Sequence, residues 1–179
     1  PLMRSRAKAV NFGIIYGIGS FSLAKNIGVT RKEAEAYIKT YLDTFSGVRA
    51  YMEQSVARAR ACGYAQTLFG RRRYLPELAA SNFNLRAFGE RVAMNMPIQG
   101  TAADIIKIAM IRVARRLEQE GLRAQLILQV HDELIVEAPE EEAPLVRQLL
   151  TEEMQQAAAL KVPLVADAAV GKTWYDAKA

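Results

Sequence analysis

A single cysteine, Cys62, occurs in the 179 residues, so no internal disulfide can form. That scarcity suits a reducing compartment. Histidine is equally scarce, with His131 alone. Neither a zinc site nor a Cys–His nucleophile pair with spares is therefore available. No apolar run is long enough to span a bilayer, and no signal peptide opens the chain. No GxxxxGK[ST] phosphate loop occurs, and Gly17 with Gly19 gives only a piece of a glycine-rich loop. Internal repeats, linkers and low-complexity segments are also lacking. The chain begins at Pro1 rather than at a methionine, and the expectation is a fragment of a longer protein.

What is present is globular in character: 51% hydrophobic and 24% charged residues, in a length that suits one domain or a large piece of one. The net charge of +5 is unevenly spread. Residues 1–75 carry 13 Lys and Arg against 4 acids, and residues 76–179 carry 11 against 15, so a +9 segment adjoins a −4 segment. A basic segment suits a polyanionic partner, and the acidic one leaves carboxylates for another task. Patchy charge on an ordinary soluble protein gives the same numbers.

Periodicity and punctuation predict a helix from about Leu2 to Tyr16, stopped by Gly17 and Gly19, and a short helix around Ser22–Asn26. Thr30 with Glu33 forms a capping box that opens a helix with apolar Ala34, Tyr37, Ile38, Tyr41 and Leu42. Another helix is expected from about Val48 to Cys62, before Gly63. Two short strands should flank Gly70, with Arg71, Arg72 and Arg73 in the turn. Helix returns from about Leu85 to Met96, ends against Pro97, and restarts from about Thr101 to Glu120. The apolar "TAADIIKIAMI" should lie deeply buried. A hairpin follows, its tip at His131-Asp132, then a helix from about Glu140 to Ala159 with glutamates suiting its dipole. "VPLVADAAVG" reads as a last strand. The fold class is α+β.

Four patterns carry chemistry. Arg4, Lys8, Phe12 and Tyr16 recur every fourth residue, so on a helix they form one stripe that winds by about 40° per step. Arg and Lys suit a polyphosphate, and a flat ring a turn further on suits a base or sugar. A solvated basic face with Phe12 and Tyr16 in the core is the plainer alternative. At the hairpin tip, Asp132 with Glu133 beside it is placed to hold a hard cation such as Mg²⁺, although Asp is also a common turn residue. Arg71, Arg72 and Arg73 suit backbone phosphates or simply solvent. Arg91, Asn95 and Gln99 repeat the four-residue spacing with forked or amide side chains suited to base edges and sugars.

Taken together, these stretches resemble the family A DNA polymerases. "RSRAKAVNFGIIYG" is similar to that family's fingers-helix motif, Arg-x3-Lys-x3-Phe-x3-Tyr-Gly, and "QVHDE" to its palm hairpin. "TLFGRRRYLP", "RVAMNMPIQGTAADIIK" and "TWYDAK" follow in the family's order, so the resemblance covers the whole chain. It implies mostly helical fingers with the start of a return hairpin over 1–75. Over 76–179 it implies the C-terminal part of an antiparallel-sheet palm with a catalytic β-hairpin. Arg4 and Lys8 would hold the triphosphate of the incoming deoxynucleotide, with Lys8 a proton donor to pyrophosphate. Phe12 would pack on the nucleotide's sugar and base, and Tyr16 would gate the template base. Asp132 would be the catalytic carboxylate on two Mg²⁺ ions, Mn²⁺ substituting, with Glu133 an accessory acid. His131, Arg91, Asn95 and Gln99 would touch the primer terminus and minor groove, and Arg73 the DNA backbone.

The family also needs a second metal-binding Asp from a palm motif followed by Glu-Leu. Nothing here matches that motif, and the thumb is absent, so the fragment is expected to be inactive alone. The parent is expected to be a monomer acting on primer–template DNA and deoxynucleoside triphosphates, with no membrane partner. Single-subunit RNA polymerases share the Lys and Tyr-Gly and a His-Asp hairpin, but differ at the Phe12 position and around Glu133. A non-catalytic DNA-binding remnant is the alternative from another class.

Overall fold

The capping box at Thr30 shows how local chemistry sets the first elements. The Thr30 hydroxyl accepts from the Glu33 N–H at 3.3 Å, while the Glu33 carboxylate accepts from the Thr30 N–H at 2.8 Å. Two N–H groups that a helix start leaves without partners are thereby satisfied. In this computed structural model, which describes residues 2–178, that cap opens α3, Arg31–Thr44. Before it come α1, Leu2–Ile15, and α2, Ser20–Ile27; after it comes α4, Ser46–Cys62. Gly63 follows α4 at φ 79°, a left-handed residue that favours glycine and turns the chain into β1. β1, Tyr64–Gln66, pairs antiparallel with β2, Arg72–Tyr74. Arg72 and Arg73 therefore sit on a strand, and Arg71 alone of the three remains in the turn.

A short 3-10 turn, Pro76–Ala79, leads to α5, which runs without a break from Phe83 to Gln119. The expected stop at Pro97 does not occur. Proline removes the hydrogen bond to the Ala93 carbonyl and crowds it, a cost of about 3 kcal/mol. Apolar packing on both flanks offsets that cost. Ala93 lies in a cluster with Ala59, Ala65, Leu75 and Leu78, while Ala109, Val113 and Leu117 belong to another. Deep burial of the "TAADIIKIAMI" stretch does not hold either. Thr101, Asp104 and Ala109 are buried, but Ala102 and Ala103 are exposed and Ile111 is 52% exposed. Ile105, Ile106, Ile108, Ala109 and Met110 pack in the cluster of the second unit, while Ala103, Lys107 and Ile111 are exposed.

The described chain falls into two compact units, the first ending at Thr101 and the second starting at Ala102. In the first, Leu23, Ala24, Ile27 and Ala34 form a core that Ala9, Val10 and Ile18 pack against. The second holds β3, Gln125–Val130, and β4, Glu133–Glu137, paired antiparallel with an irregularity between Leu126 and Leu128. It then holds α6, Ala143–Gln155, and α7, Trp174–Ala177. The glutamates before α6 serve elsewhere than its dipole: Glu142 accepts from the N–H groups of Arg123 at 3.1 Å and Ala124 at 3.0 Å. The last strand is absent among the described residues, because 162–170 has no ladder partner. Side chains of α6 take up its carbonyls instead, Arg147 at Ala168 (2.8 Å) and Gln155 at Ala166 (3.3 Å). No helix of the described residues is long and apolar enough to cross a membrane.

Candidate active site

The stripe on α1 is real and faces outward. Arg4, Lys8, Phe12 and Tyr16 are all exposed, whereas Ile14 on another face is buried. Phe12 and Tyr16 remain 47% and 43% exposed, which removes the reading in which they fill the core. Their rings stack, with centroids 6.4 Å apart and planes 17° from parallel. Lys8 Nζ lies 5.8 Å from the Phe12 centroid, within cation–π range. One helix face thus offers cationic donors and then a flat apolar platform that is nearly half exposed.

The α5 residues singled out by spacing arrive at the end of that stripe. Asn95 Nδ2 donates to the Tyr16 carbonyl at 3.4 Å. Gly17, at φ 75°, stands so close to α5 that an added Cβ would lie 2.6 Å from Met94 Cε and 3.2 Å from Arg91 Cγ. Arg91 and Asn95 are thereby gathered at the Tyr16–Gly17 end of α1. Gln99 is exposed one turn beyond Asn95, past Pro97. Tyr51 Oη, from α4, donates to the Met94 carbonyl at 3.1 Å and holds this part of α5.

Arg73 is exposed on β2, opposite Ala65. The turn before it is tied by Thr67, whose hydroxyl accepts from the Phe69 and Arg71 N–H groups at 3.3 and 3.1 Å. Thr101 anchors the same loop. Its hydroxyl accepts from Leu68 N–H at 3.0 Å and donates to the Pro97 carbonyl. Arg72 lies over the Tyr64 ring at 4.5 Å.

In the second unit, β3 and β4 meet at a two-residue tip, His131-Asp132, as the alternation of the two runs predicts. His131 has φ 53°, the one positive φ among the described residues outside glycine. Gln129 Nε2 donates to the His131 carbonyl at 2.5 Å and closes the turn. His131 and Asp132 are exposed and Glu133 is half-buried. The Glu133 carboxylate is already engaged: Trp174 Nε1 donates to one oxygen at 3.2 Å, and Lys178 Nζ pairs with the other at 3.1 Å.

A divalent cation needs several oxygen ligands. Among the described residues no three His, Cys, Asp or Glu side chains come together to supply them. Asp132 offers one suitable carboxylate, and its neighbour is committed to α7. The described residues therefore do not by themselves make up a metal site.

Spacing gave no notice of the Trp174–Lys178 grip on Glu133. Trp174 opens α7 and Lys178 follows its last residue, but only the fold brings them to residue 133. Tyr51 and Thr101 were likewise unmarked, since their partners are 43 and 33 residues away.

Residues 1–176 match the family described as DNA polymerase family A. DNA polymerase I of Bacillus subtilis (strain 168) is 59% identical over 176 residues, covering 98% of this chain and 20% of the relative. That of Geobacillus stearothermophilus is 56% identical over 176 residues, again covering 98% and 20%. Among solved structures, the POL domain of Pol1 from M. smegmatis, in complex with DNA primer–template and dNTP, superposes with a TM-score of 0.95. It is 45% identical, covering 100% of this chain and 32% of that one. The chain spans about a fifth of the length of the curated relatives it matches.

Proposed function

This chain belongs to DNA polymerase family A, and from that membership we propose that it is the fingers and C-terminal palm portion of a template-directed DNA polymerase. Fingers helices and the start of the return hairpin occupy 1–75, and the palm portion 76–179. The reaction joins a primer 3′-oxygen to the α-phosphorus of a deoxynucleoside triphosphate. The bond from that phosphorus to the bridging oxygen breaks, pyrophosphate leaves, and the 3′-hydroxyl gives up its proton. The observation that carries this reading is the outward stripe of α1, two cations followed by two stacked rings.

Arg4 holds phosphate oxygens with its fork, and Lys8 holds them as a point charge and donates a proton to departing pyrophosphate. Phe12 packs on the nucleotide's sugar and base, and Tyr16 gates the template base. Arg91, Asn95, Gln99 and His131 touch the primer terminus and minor groove, and Arg73 a backbone phosphate. Asp132 is the catalytic carboxylate and Glu133 an accessory acid. Family A DNA polymerases generally use divalent metals. Asp132 would hold Mg²⁺, as two ions with Mn²⁺ able to substitute, jointly with carboxylates outside these 179 residues. Such ions supply charge stabilisation and a more acidic hydroxyl. The parent works as a cytoplasmic monomer on primer–template DNA, and the segment alone does not extend a primer.

The test is extension of a labelled primer by the parent chain and by its Asp132→Ala variant. Loss of extension with DNA binding retained is expected. Extension that survives the substitution rejects Asp132 as the catalytic carboxylate. No extension by either chain favours a DNA-binding remnant, and preference for ribonucleotides favours an RNA polymerase.

A further inference from the structure

We propose that α7 is a positioning element for the hairpin tip: Trp174 and Lys178 fix the Glu133 carboxylate and leave Asp132 as the unengaged acid there. This rests on the polymerase reading of that tip. Both oxygens of Glu133 are taken by different donors, Trp174 Nε1 at 3.2 Å and Lys178 Nζ at 3.1 Å. Two donors on two oxygens set the rotation of the carboxylate, which one contact would leave free. The donors also brace each other, with Lys178 Nζ 4.4 Å from the Trp174 ring centroid.

The short helix that opens with Trp174 and is followed by Lys178 is built for placement rather than for burial. Four residues are too few for a helix to persist unaided. Here a capping box forms it: Asp176 N–H donates to the Thr173 hydroxyl at 3.3 Å, and Thr173 N–H to the Asp176 carboxylate at 3.1 Å. Gly171 admits the returning chain so closely that a Cβ there would lie 2.6 Å from the Ala177 nitrogen. Trp174 and Lys178 then stand one turn apart and converge on a single acid. The Lys178 and Glu133 side chains are 51% and 44% exposed, and a pair so exposed adds little to stability. Its effect lies in orientation. Glu133 adjoins Asp132 in sequence, and a freed carboxylate would bring a second negative charge to the tip.

The test is a double-mutant cycle in the full-length polymerase that contains this chain. Trp174→Phe removes the N–H and keeps the ring, Lys178→Met removes the charge and keeps the stem, and Glu133→Gln removes the acid they hold. With both donors replaced, kcat should fall about fivefold to tenfold while KM for the nucleotide and Kd for DNA stay unchanged. In the Glu133→Gln background the same replacements should cost nothing further, and Lys178→Arg should keep most of the activity. Costs that add in the cycle, or that follow a fall in Tm, overturn the proposal. If Trp174→Phe unfolds the protein, Lys178→Met alone carries the cycle. A wild-type parent that does not extend primers rejects the polymerase reading and this proposal with it, whereas extension with an additive cycle rejects the positioning role only.

Discussion

Asn95 reaches from α5 to donate its Nδ2–H to the backbone carbonyl of Tyr16, at 3.4 Å. That carbonyl lies past the end of α1, where helical partners have run out. The bond therefore ties the backbone of Tyr16, the last residue of the exposed stripe, to α5. Asn95→Ala should lower kcat/KM for templated extension about fivefold to tenfold, with a smaller change in Tm. Steady-state extension beside thermal unfolding checks it. A change confined to Tm would make Asn95 a packing residue only.

Gly17 sits at φ 75° with Met94 Cε 2.6 Å from where a Cβ would be. Gly17→Ala therefore meets two obstacles, the left-handed backbone, worth about 1–2 kcal/mol, and the methionine. Adding Met94→Ala should not restore stability, because the backbone cost remains. Gly19→Ala, with open space around it and no positive φ, should be much milder. Urea denaturation of the three variants decides this.

Arg73 is an exposed strand residue that, on the proposed function, meets a backbone phosphate. Arg73→Ala should weaken DNA binding equally across sequences and reduce the slope of log K against log salt by about 1. Anisotropy titrations over a salt series measure it. An unchanged slope would remove Arg73 from the phosphate contacts.

The Thr30 hydroxyl, and then its backbone N–H, hold the Glu33 carboxyl below its ordinary value of 4.5. A lowered acid stabilises the fold above its unfolded pKa, and that gain is lost as pH falls through the folded value. Thr30→Ala should thus lower Tm by a few degrees at neutral pH, with the deficit shrinking below pH 4.5. A deficit that is constant with pH would deny the carboxylate its part in the cap.

Elements set by neighbours in sequence were legible in it: the Thr30–Glu33 cap, the Gly63 stop, the α1 stripe and the His131-Asp132 tip. Each depends on residues within a few positions. Pro97 misleads because its local cost is offset by clusters built from distant residues. The 162–170 stretch misleads in the opposite way, since β-branched residues alone make no ladder. Of the candidate site, the outward stripe and the hairpin tip were readable as local patterns, but not the Asn95–Tyr16 bond or the grip of Trp174 and Lys178 on Glu133. Those contacts span 79 and 41 residues, and spacing cannot encode them.

The left-handed conformation of His131 bears on how variation at the hairpin should be interpreted. In a saturation library at this codon, valine, isoleucine and threonine would be depleted for backbone reasons before any chemistry is tested. Such a profile would mimic functional selection. Glycine and asparagine are the informative replacements, because they accept the turn while deleting the imidazole. A fitness gap between those two and histidine measures what the ring contributes.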